Sequence, residues 1–164
     1  MYPCGYRTDP RRNCHCTPPQ IERYMSKISG PLLDRIDIHI EVPAAEYKEL
    51  ASSHTGTGSG EMREQVATAR QAQAARFARL NGATRQVYNA QLSSKQIREY
   101  CPLVKECSQL LKHSVQELGL SARAHDKVLR VARTIADLDA KADIEVDHLT
   151  EAINYRVLDR DLWS

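Results

Sequence analysis

Three cysteines crowd into the first sixteen residues of the chain, at Cys4, Cys14 and Cys16. Thiolates bind zinc, and structural zinc sites take four tetrahedral ligands, usually from cysteine pairs separated by two to four residues. Here the spacing is Cys-x-Cys and no fourth ligand is obvious, with His15 and Tyr2 as the neighbours. In a reducing compartment such a cluster favours a metal site over a disulfide. The residues leave two alternatives open, a zinc site or three unpaired thiols in an irregular segment.

A second candidate site is a run of basic residues, Arg123, Lys127 and Arg130, at positions i, i+4 and i+7. On a helix this spacing places all three side chains on one face, opposite the apolar side. Planar guanidinium groups match phosphate oxygens, so one interpretation is an anion site. The other interpretation is a solvated surface with local ion pairs, such as Asp137 with Lys141.

The stretch GPLLDRIDIHIEVP, from Gly30 to Pro43, places an arginine beside a strand-like pattern. Apolar residues alternate with polar ones over 36–42, which is the period-2 pattern of a half-buried strand. Arg35 stands at the entrance of this predicted strand. The local sequence allows an exposed arginine paired with Asp34 or Asp37, and it also allows a residue that takes part in chemistry.

Helices must position these residues, because most of the chain carries helical periodicity. Apolar spacing, N-cap residues and terminating Gly or Pro predict helices at about 18–28, 61–80, 94–100, 103–118, 121–138 and 146–155. The polar, glycine-rich stretch 52–61 is typical of a linker or exposed loop. The pattern predicts a mainly α fold, with a small helical bundle after a strand-bearing N-terminal piece.

The bulk composition narrows the function classes. With 164 residues, the chain can bury a core as one domain or as two small ones. A net charge of +2 with 27% charged residues is too balanced to argue for nucleic-acid binding by itself. No apolar run approaches the roughly 18 residues of a membrane span, and the N-terminus has no signal-peptide pattern. We therefore expect a cytoplasmic protein with no membrane partner.

Three passages together resemble a known family: PCGY to EVP over 3–43, NAQLSSKQIREYCPL over 89–103, and LGLSARAHDKVLR to INYR over 118–156. They are similar to the C-terminal half of the magnesium-chelatase-like AAA+ ATPases and, within that family, to its branch of competence proteins. The resemblance covers nearly the whole chain apart from the region 52–90.

The resemblance implies a division into three parts. Residues 1–45 would be the remnant of an AAA+ α/β core, with one strand and the Cys-rich loop. Residues 46–90 would be a linker and helical arm, and 91–164 the helical-bundle lid domain with the sensor-2 helix. The sequence contains neither GxxxxGK[ST] nor an apolar run ending in Asp-Glu. We therefore expect a C-terminal part of a longer ATPase, which by itself neither binds ATP firmly nor hydrolyses it.

The resemblance also implies roles for the arginines. Arg35, in the LLDRIDI step, would reach into the nucleotide site of the neighbouring subunit as an arginine finger. The GLSARAHDKVLR passage resembles the sensor-2 helix, in which Arg123 would contact the γ-phosphate in cis, with Arg130 as the second candidate. Guanidinium groups at these places would stabilise the negative charge that develops during phosphoryl transfer.

ATP and Mg²⁺ are the implied cofactors of the parent protein, and Zn²⁺ is the further one, held by Cys4, Cys14 and Cys16. The cysteine loop of the family reads Cys-Pro-Cys-Gly, whereas Tyr2 stands at the first cysteine position here. This chain therefore carries three of the four thiolates that the resemblance implies.

The activity implied for the parent protein is ATP-driven motion on DNA by a homo-oligomeric ring, a hexamer, for example branch migration during recombination of incoming DNA. Two alternatives stay open. One is a motor subunit of a metal-insertion complex of the magnesium-chelatase type, and the other is a non-catalytic module that binds DNA or a partner. The cysteine loop argues against the chelatase-type motor, because that branch resembles the chain in the arginine passages but not in the loop.

Overall fold

A computed structural model describes residues 3–6, 12–40, 56–78 and 88–156, together with the single residues 42, 47 and 51. The α-helices of this part are α1 (Pro18–Met25), α2 (Gly30–Leu33), α3 (Ser59–Phe77), α4 (Ser94–Tyr100), α5 (Lys105–Leu118), α6 (Ala122–Leu138) and α7 (Val146–Asn154). A 3₁₀ turn at Asn89–Gln91 precedes α4. The predicted mainly α fold class is confirmed.

Local capping signals explain where the helices of the C-terminal half begin and end. Ser93 and Ser121 each accept a hydrogen bond from the backbone amide three residues later, at 3.4 and 3.0 Å. Each side chain thereby satisfies one free donor in the first turn of its helix. Gly119 ends α5 in the left-handed conformation, with φ +60°, which glycine adopts without strain. The predicted bounds of α4 and α6 are matched within one residue.

The core forms around α6, which packs against α3, α4, α7 and the 3₁₀ turn. Its inward face consists of small or branched residues that are at most 1% exposed: Ala124, Val128, Ala132 and Ala136. Larger apolar side chains of α4, α5 and α7 fill the remaining space: Ile97, Leu111, Leu149 and Ile153. The two downstream cysteines, Cys101 and Cys107, are buried in this core. Burial raises the pKa of Cys101 to about 11, as expected for a packed neutral thiol.

A buried polar network ties α3 to α6. Asp137, which is 2% exposed, accepts hydrogen bonds from Arg76 at 2.9 Å, from Arg133 at 3.1 Å and from Asn89 at 2.8 Å. One interpretation of the sequence gave a surface ion pair between Asp137 and Lys141 as an example, and that prediction is wrong. Asp137 faces inwards, because the cations that compensate its charge come from α3 and from the preceding turn of α6.

α3 has 19 residues and buries only its C-terminal half. Met62, Val66, Ala69, Gln73 and Phe77 recur at helical spacing in the sequence, but Met62 and Val66 are 51% and 48% exposed, and burial extends only from Ala69 to Phe77. The N-terminal half is thus an exposed arm in the described part of the protein. Across the ranges that the structure describes, no helix combines the length and the hydropathy needed to cross a membrane.

The predicted strand over 36–42 is not formed in the described part of that stretch, residues 36–40 and 42. A strand needs a neighbouring strand to pair its backbone, and the one β-bridge between described residues joins Leu103 to Ile144. The segment runs instead along the end of α7, where the His39 amide donates to the Tyr155 carbonyl at 2.8 Å. Its isoleucines are 40% to 64% exposed, whereas His39 is 8% exposed. The alternating apolar and polar residues of this segment therefore do not form a strand of a sheet in the described part of the protein.

Candidate functional site

The three arginines singled out in the sequence line one open cleft of about 490 Å³: Arg35, Arg123 and Arg130. Lys127 and Asp126 line it as well, so four basic side chains and one carboxylate face the same space. Arg35 comes from the turn after α2, and the others come from the first half of α6. Two distant parts of the sequence thus form one positively charged concave surface, which favours an anion.

Arg35 lies in the turn that follows α2, and its side chain is exposed. The Arg35 amide donates to the Leu32 carbonyl at 3.0 Å, and its guanidinium Nη1 donates to the Pro31 carbonyl at 2.7 Å. The ion pair with Asp34 or Asp37 that the sequence allowed is not formed, because both carboxylates pair with residues of α6. The Arg35 side chain is thus held by a neutral acceptor beside a cleft suited to anions.

Asp34 joins the turn that carries Arg35 to the beginning of α6. Its carboxylate accepts a hydrogen bond from Ser121 Oγ at 2.8 Å and pairs with Arg123 Nη1 at 3.2 Å. Partial burial acts to raise the pKa of Asp34, but the Ser121 hydroxyl and the Arg123 guanidinium outweigh it and hold that pKa below its usual range. Because Ser121 is also the N-cap of α6, the same contact fixes the turn, the cap and the first arginine of the helix.

Arg123 and Arg130 differ in how firmly they are held. The Arg123 side chain is 59% exposed, and its pair with Asp34 is partly solvated, a type worth about 1 kcal/mol or less. Arg130 is half-buried and its Nη2 donates to the Leu92 carbonyl at 2.6 Å. Its Nε is buried without a hydrogen-bond partner in the part of the chain that the structure describes. Arg123 is therefore held by a weak, partly solvated contact, whereas Arg130 is fixed to the wall of the cleft.

Lys127 is the residue whose burial the helical spacing does not predict. The spacing places it on the solvated face with Arg123 and Arg130, but the residue is only 6% exposed. Its Nζ pairs with Asp37 at 2.7 Å, while its long apolar stem is covered by neighbouring residues. Sequence reasoning missed Asp37 as a candidate. The available signal was the D-R-I-D step, in which a carboxylate stands on each side of Arg35.

Asp126 supplies the carboxylate among the residues that line the cleft. It accepts a hydrogen bond from Ser94 Oγ at 2.7 Å and contacts His125 Nδ1 at 3.2 Å. Burial acts to raise the pKa of Asp126, but the hydrogen bonds from Ser94 and His125 outweigh it and lower that pKa below its usual range. Asp126 is therefore an ionised group already bound to protein donors, and it ties the start of α4 to α6.

The Cys-rich loop brings its three thiols together. The Sγ atoms of Cys4, Cys14 and Cys16 all lie within 4.8 Å of one another, and Cys4 Sγ is 3.4 Å from Cys14 Sγ. The Tyr6 amide donates to Cys4 and lowers its pKa, while the hydrogen bond with Cys4 raises the pKa of Cys16 to about 11. Three thiolates at these distances can bind a tetrahedral metal ion with one position left over. Tyr2, at the position of the expected fourth ligand, lies outside the described residues.

Comparison with known families identifies the family of the chain. Residues 56–156 match the family described as magnesium chelatase, subunit ChlI C-terminal. The chain belongs to this magnesium chelatase family. Residues 1–50 match the companion family described as magnesium chelatase, subunit ChlI. The resemblance drawn from the three sequence passages is confirmed.

Relatives with curated names support the same family. The chain is 40% identical over 146 residues to the uncharacterized protein YifB of Escherichia coli, which is 88% of this chain and 27% of that protein. It is 39% identical over 145 residues to the competence protein ComM of Haemophilus influenzae, again 88% of this chain and 27% of that protein. The chain therefore spans about a quarter of the length of the curated relatives it matches.

The cleft draws on both regions that match magnesium chelatase families. Arg35 lies in the region matched over 1–50, and Arg123 and Arg130 lie in the region matched over 56–156. The fold brings them together, but similarity of sequence does not test what each arginine does. The predicted roles of the arginines and of the three cysteines stay predictions.

Proposed function

We propose that the cleft binds the terminal phosphates of ATP in an oligomeric ATPase that acts on DNA, with Arg35 and Arg123 as catalytic residues. The observation that carries this proposal is the meeting of Arg35, Arg123 and Arg130 at one cleft, although they come from distant parts of the sequence. Guanidinium groups match phosphate oxygens in shape and charge, and several of them around one open cleft favour a polyanion.

The contacts of these arginines suit phosphoryl transfer. Negative charge builds on the equatorial oxygens of the transferred phosphoryl group, and the protein contributes mainly positioning and electrostatic stabilisation. Arg35 is held by the Pro31 carbonyl and can turn towards these oxygens. Arg123 can replace the Asp34 carboxylate by a phosphate oxygen. Arg130, bound to the Leu92 carbonyl, adds positive charge from the wall.

Both catalytic arginines are proposed to reach the same nucleotide from the same subunit. They line one cleft, and Asp34 joins the turn of one to the helix of the other. If Arg35 acts on the ATP of a neighbouring subunit, Arg123 then acts in trans as well, rather than in cis as the family resemblance implies. The nucleotide itself must be held by residues outside this chain, since the sequence carries no Walker-type motif. A ring of subunits, with the hexamer as the expected form, provides such a neighbour.

The residues of the cleft fit the phosphates of ATP but not its Mg²⁺ ion. Mg²⁺ binds carboxylate oxygens and water, and Asp126, the carboxylate of the lining, already accepts from Ser94 and His125. Four neighbouring cations further disfavour a divalent cation. We therefore assign no Mg²⁺ ligand to this chain. Bound ATP supplies the phosphoryl group, and this chain supplies arginines that stabilise its charge.

Action on DNA is the finer part of the proposal. One relative bears the name competence protein, which favours DNA as the partner. The family description, magnesium chelatase, favours a second candidate function instead, a motor that drives metal insertion by a partner enzyme. Both candidates use the same arginines, so the response to DNA distinguishes them.

The test measures ATP turnover by the full-length polypeptide, with and without a four-way DNA junction, in wild type and in Arg35→Ala. We expect turnover that rises with DNA and that falls about 10³-fold or more in the variant, while ATP binding is retained. Arg98→Ala is the matched control, because Arg98 is an exposed arginine of α4 that does not line the cleft.

Each other outcome has a definite meaning. Turnover that does not respond to DNA favours the metal-insertion motor. Arg98→Ala is expected to leave turnover unchanged. If Arg35→Ala also leaves it unchanged, Arg35 has no catalytic role. If the chain is a non-catalytic module, it should bind DNA by itself, and neither variant should change the ATP turnover of the full-length polypeptide.

We also propose that Cys4, Cys14 and Cys16 hold Zn²⁺ as a structural ion. Three thiols within 4.8 Å of one another form most of a tetrahedral site. Elemental analysis of protein purified without chelator is expected to find about one zinc per chain, and Cys16→Ser is expected to lose it. Cys101→Ala, which changes a buried cysteine outside the cluster, should keep the metal. Zinc-free wild-type protein would contradict the proposal.

A further inference from the structure

The two carboxylates on either side of Arg35 pair with cations of the same helix. Asp34 pairs with Arg123 at 3.2 Å, and Asp37 pairs with Lys127 at 2.7 Å. Arg123 and Lys127 are about one helical turn apart, so the pairs hold the turn at two points that are about 6 Å apart along the axis of α6. Arg35 lies in the sequence between Asp34 and Asp37, the two residues through which the turn is attached to α6.

The two pairs differ in burial and therefore in permanence. The Arg123 side chain is 59% exposed, whereas the Lys127 side chain is 8% exposed. A buried ammonium group that loses its partner is left as an uncompensated charge, which is strongly unfavourable. Arg123 can leave Asp34 when an anion arrives, but Lys127 has to stay with Asp37. The Asp37–Lys127 pair is thus the lasting attachment between the turn and α6.

The backbone after Arg35 is attached to the end of α7 as well. Arg156 donates to the Ile36 carbonyl, and the His39 amide donates to the Tyr155 carbonyl at 2.8 Å. These contacts fix the path of the chain beyond the turn. The side-chain pair of Asp37 and the two backbone contacts together leave little freedom for the segment that presents the arginine.

We propose that Lys127 is a positioning residue for Arg35. Through its ion pair with Asp37 it fixes the turn against α6, so that Arg35 and the helix carrying Arg123 approach a phosphate as one rigid unit. This inference rests on the proposed role of Arg35 in phosphoryl transfer. Loss of the pair misplaces Arg35 in the transition state and leaves binding of the nucleotide in place. A displacement of about 1 Å can lower turnover about 100-fold.

The test measures kcat and KM for ATP in the full-length polypeptide carrying Lys127→Met, Asp37→Asn or both. Each single variant is expected to lower kcat between about 10-fold and 100-fold with KM unchanged. The double variant is expected to lose no more than the more affected single variant, because both changes break one contact. Lys127→Arg keeps the charge and is expected to retain most of kcat.

Direct contact of Lys127 with phosphate would give a different pattern, since Lys127 also lines the cleft. Lys127→Met would then raise KM, and Asp37→Asn would leave kcat unchanged or increase it, because the lysine is released. Either result overturns the positioning role. The matched control is Lys141→Met, which breaks the exposed pair of Lys141 with Glu145 at 3.2 Å and should leave kcat unchanged.

Two further comparisons keep the outcome unambiguous. If Asp37→Asn does not fold, as judged by circular dichroism, because it leaves the buried Lys127 ammonium without its partner, Lys127→Met decides the matter, since the carboxylate that it leaves behind belongs to Asp37, which is 57% exposed. If Arg35→Ala leaves turnover unchanged, the proposed function itself fails. If Arg35→Ala abolishes turnover while Lys127→Met and Asp37→Asn do not reduce it, only the positioning role of Lys127 fails.

Discussion

Arg133 and Arg123 lie on the same helix, but Arg133 is 2% exposed and the Arg123 side chain is 59% exposed. Arg133 pairs with Asp137 at 3.1 Å and donates to two backbone carbonyls at 2.6 Å. Arg123 pairs with the partly solvated Asp34 at 3.2 Å. The C-terminal half of α6 therefore holds its charges within the core, whereas the N-terminal half presents them to the cleft.

This difference separates arginines that stabilise the fold from arginines that are available to a ligand. Burial lowers the pKa of Arg133, although the neighbouring Asp137 acts in the opposite direction. Arg133 cannot turn towards a ligand without leaving Asp137 buried and short of a partner, which is strongly unfavourable. Arg123 gives up only a partly solvated pair of small worth. We therefore expect the N-terminal end of α6 to contact a ligand and the C-terminal end to stabilise the fold.

The largest expected effect concerns the N-terminal end. In a mixture of Arg35→Ala subunits and Arg123→Ala subunits, we expect no recovery of ATP turnover, because both arginines are proposed to serve one nucleotide from the same subunit. Every contact between subunits then lacks one of the two guanidinium groups. Turnover stays lower by about 10³-fold or more, as steady-state measurements on oligomers assembled from equal amounts will report.

Recovery of turnover in that mixture would contradict the shared cleft as a catalytic unit. It would require Arg35 and Arg123 to serve one nucleotide from different subunits, which is the arrangement that the family resemblance implies. The control mixes Arg35→Ala subunits with wild type, because intact contacts between subunits remain there and part of the turnover is retained.

The next largest effect concerns the buried end. Asp137→Asn is expected to lower the free energy of unfolding by about 3–5 kcal/mol, because it leaves Arg133 and Arg76 without their shared charge. Urea denaturation measures this difference. Asp143→Asn, at an exposed carboxylate in the next loop, is expected to change the stability by about 0.5 kcal/mol or less. Equal effects of the two variants would mean that the buried network around Asp137 does not stabilise the fold in the proposed way.

The helices could be predicted from the sequence because their signals are local. Ser93 and Ser121 cap helices that begin directly after them, and Gly119 ends one in the left-handed conformation. The strand over 36–42 was predicted wrongly, since alternation shows that a segment has two faces but not that a neighbouring strand exists. Apolar spacing along α3 likewise indicates which face of the helix can pack, but not how far along the helix the packing surface extends, and Met62 lies beyond it.

The residues of the cleft could be predicted in part. Arg123 and Arg130 follow from helical spacing, and Arg35 was singled out by its place in the D-R-I-D step. The partners could not be predicted, because the contacts of Asp34 with Ser121 and of Asp37 with Lys127 join parts of the chain that are distant in sequence. The same reason explains Asp137, whose partner Arg76 comes from another helix.

The smallest expected effect is that of pH on the contact between Asp34 and Arg123. In the folded protein the pKa of Asp34 lies below its ordinary value of 3.8. The contact therefore stabilises the fold above that ordinary pKa, and its contribution is lost as the pH falls through the lower folded-state pKa. At about pH 6, wild type is expected to be more stable than Asp34→Asn by up to about 1 kcal/mol. Urea denaturation at several pH values should show this difference shrinking towards about pH 2, while Asp126 titrates equally in both proteins. If the difference in unfolding free energy did not depend on pH, Arg123 would not be paired with a charged Asp34. The proposed replacement of Asp34 by a phosphate at Arg123 would then be contradicted.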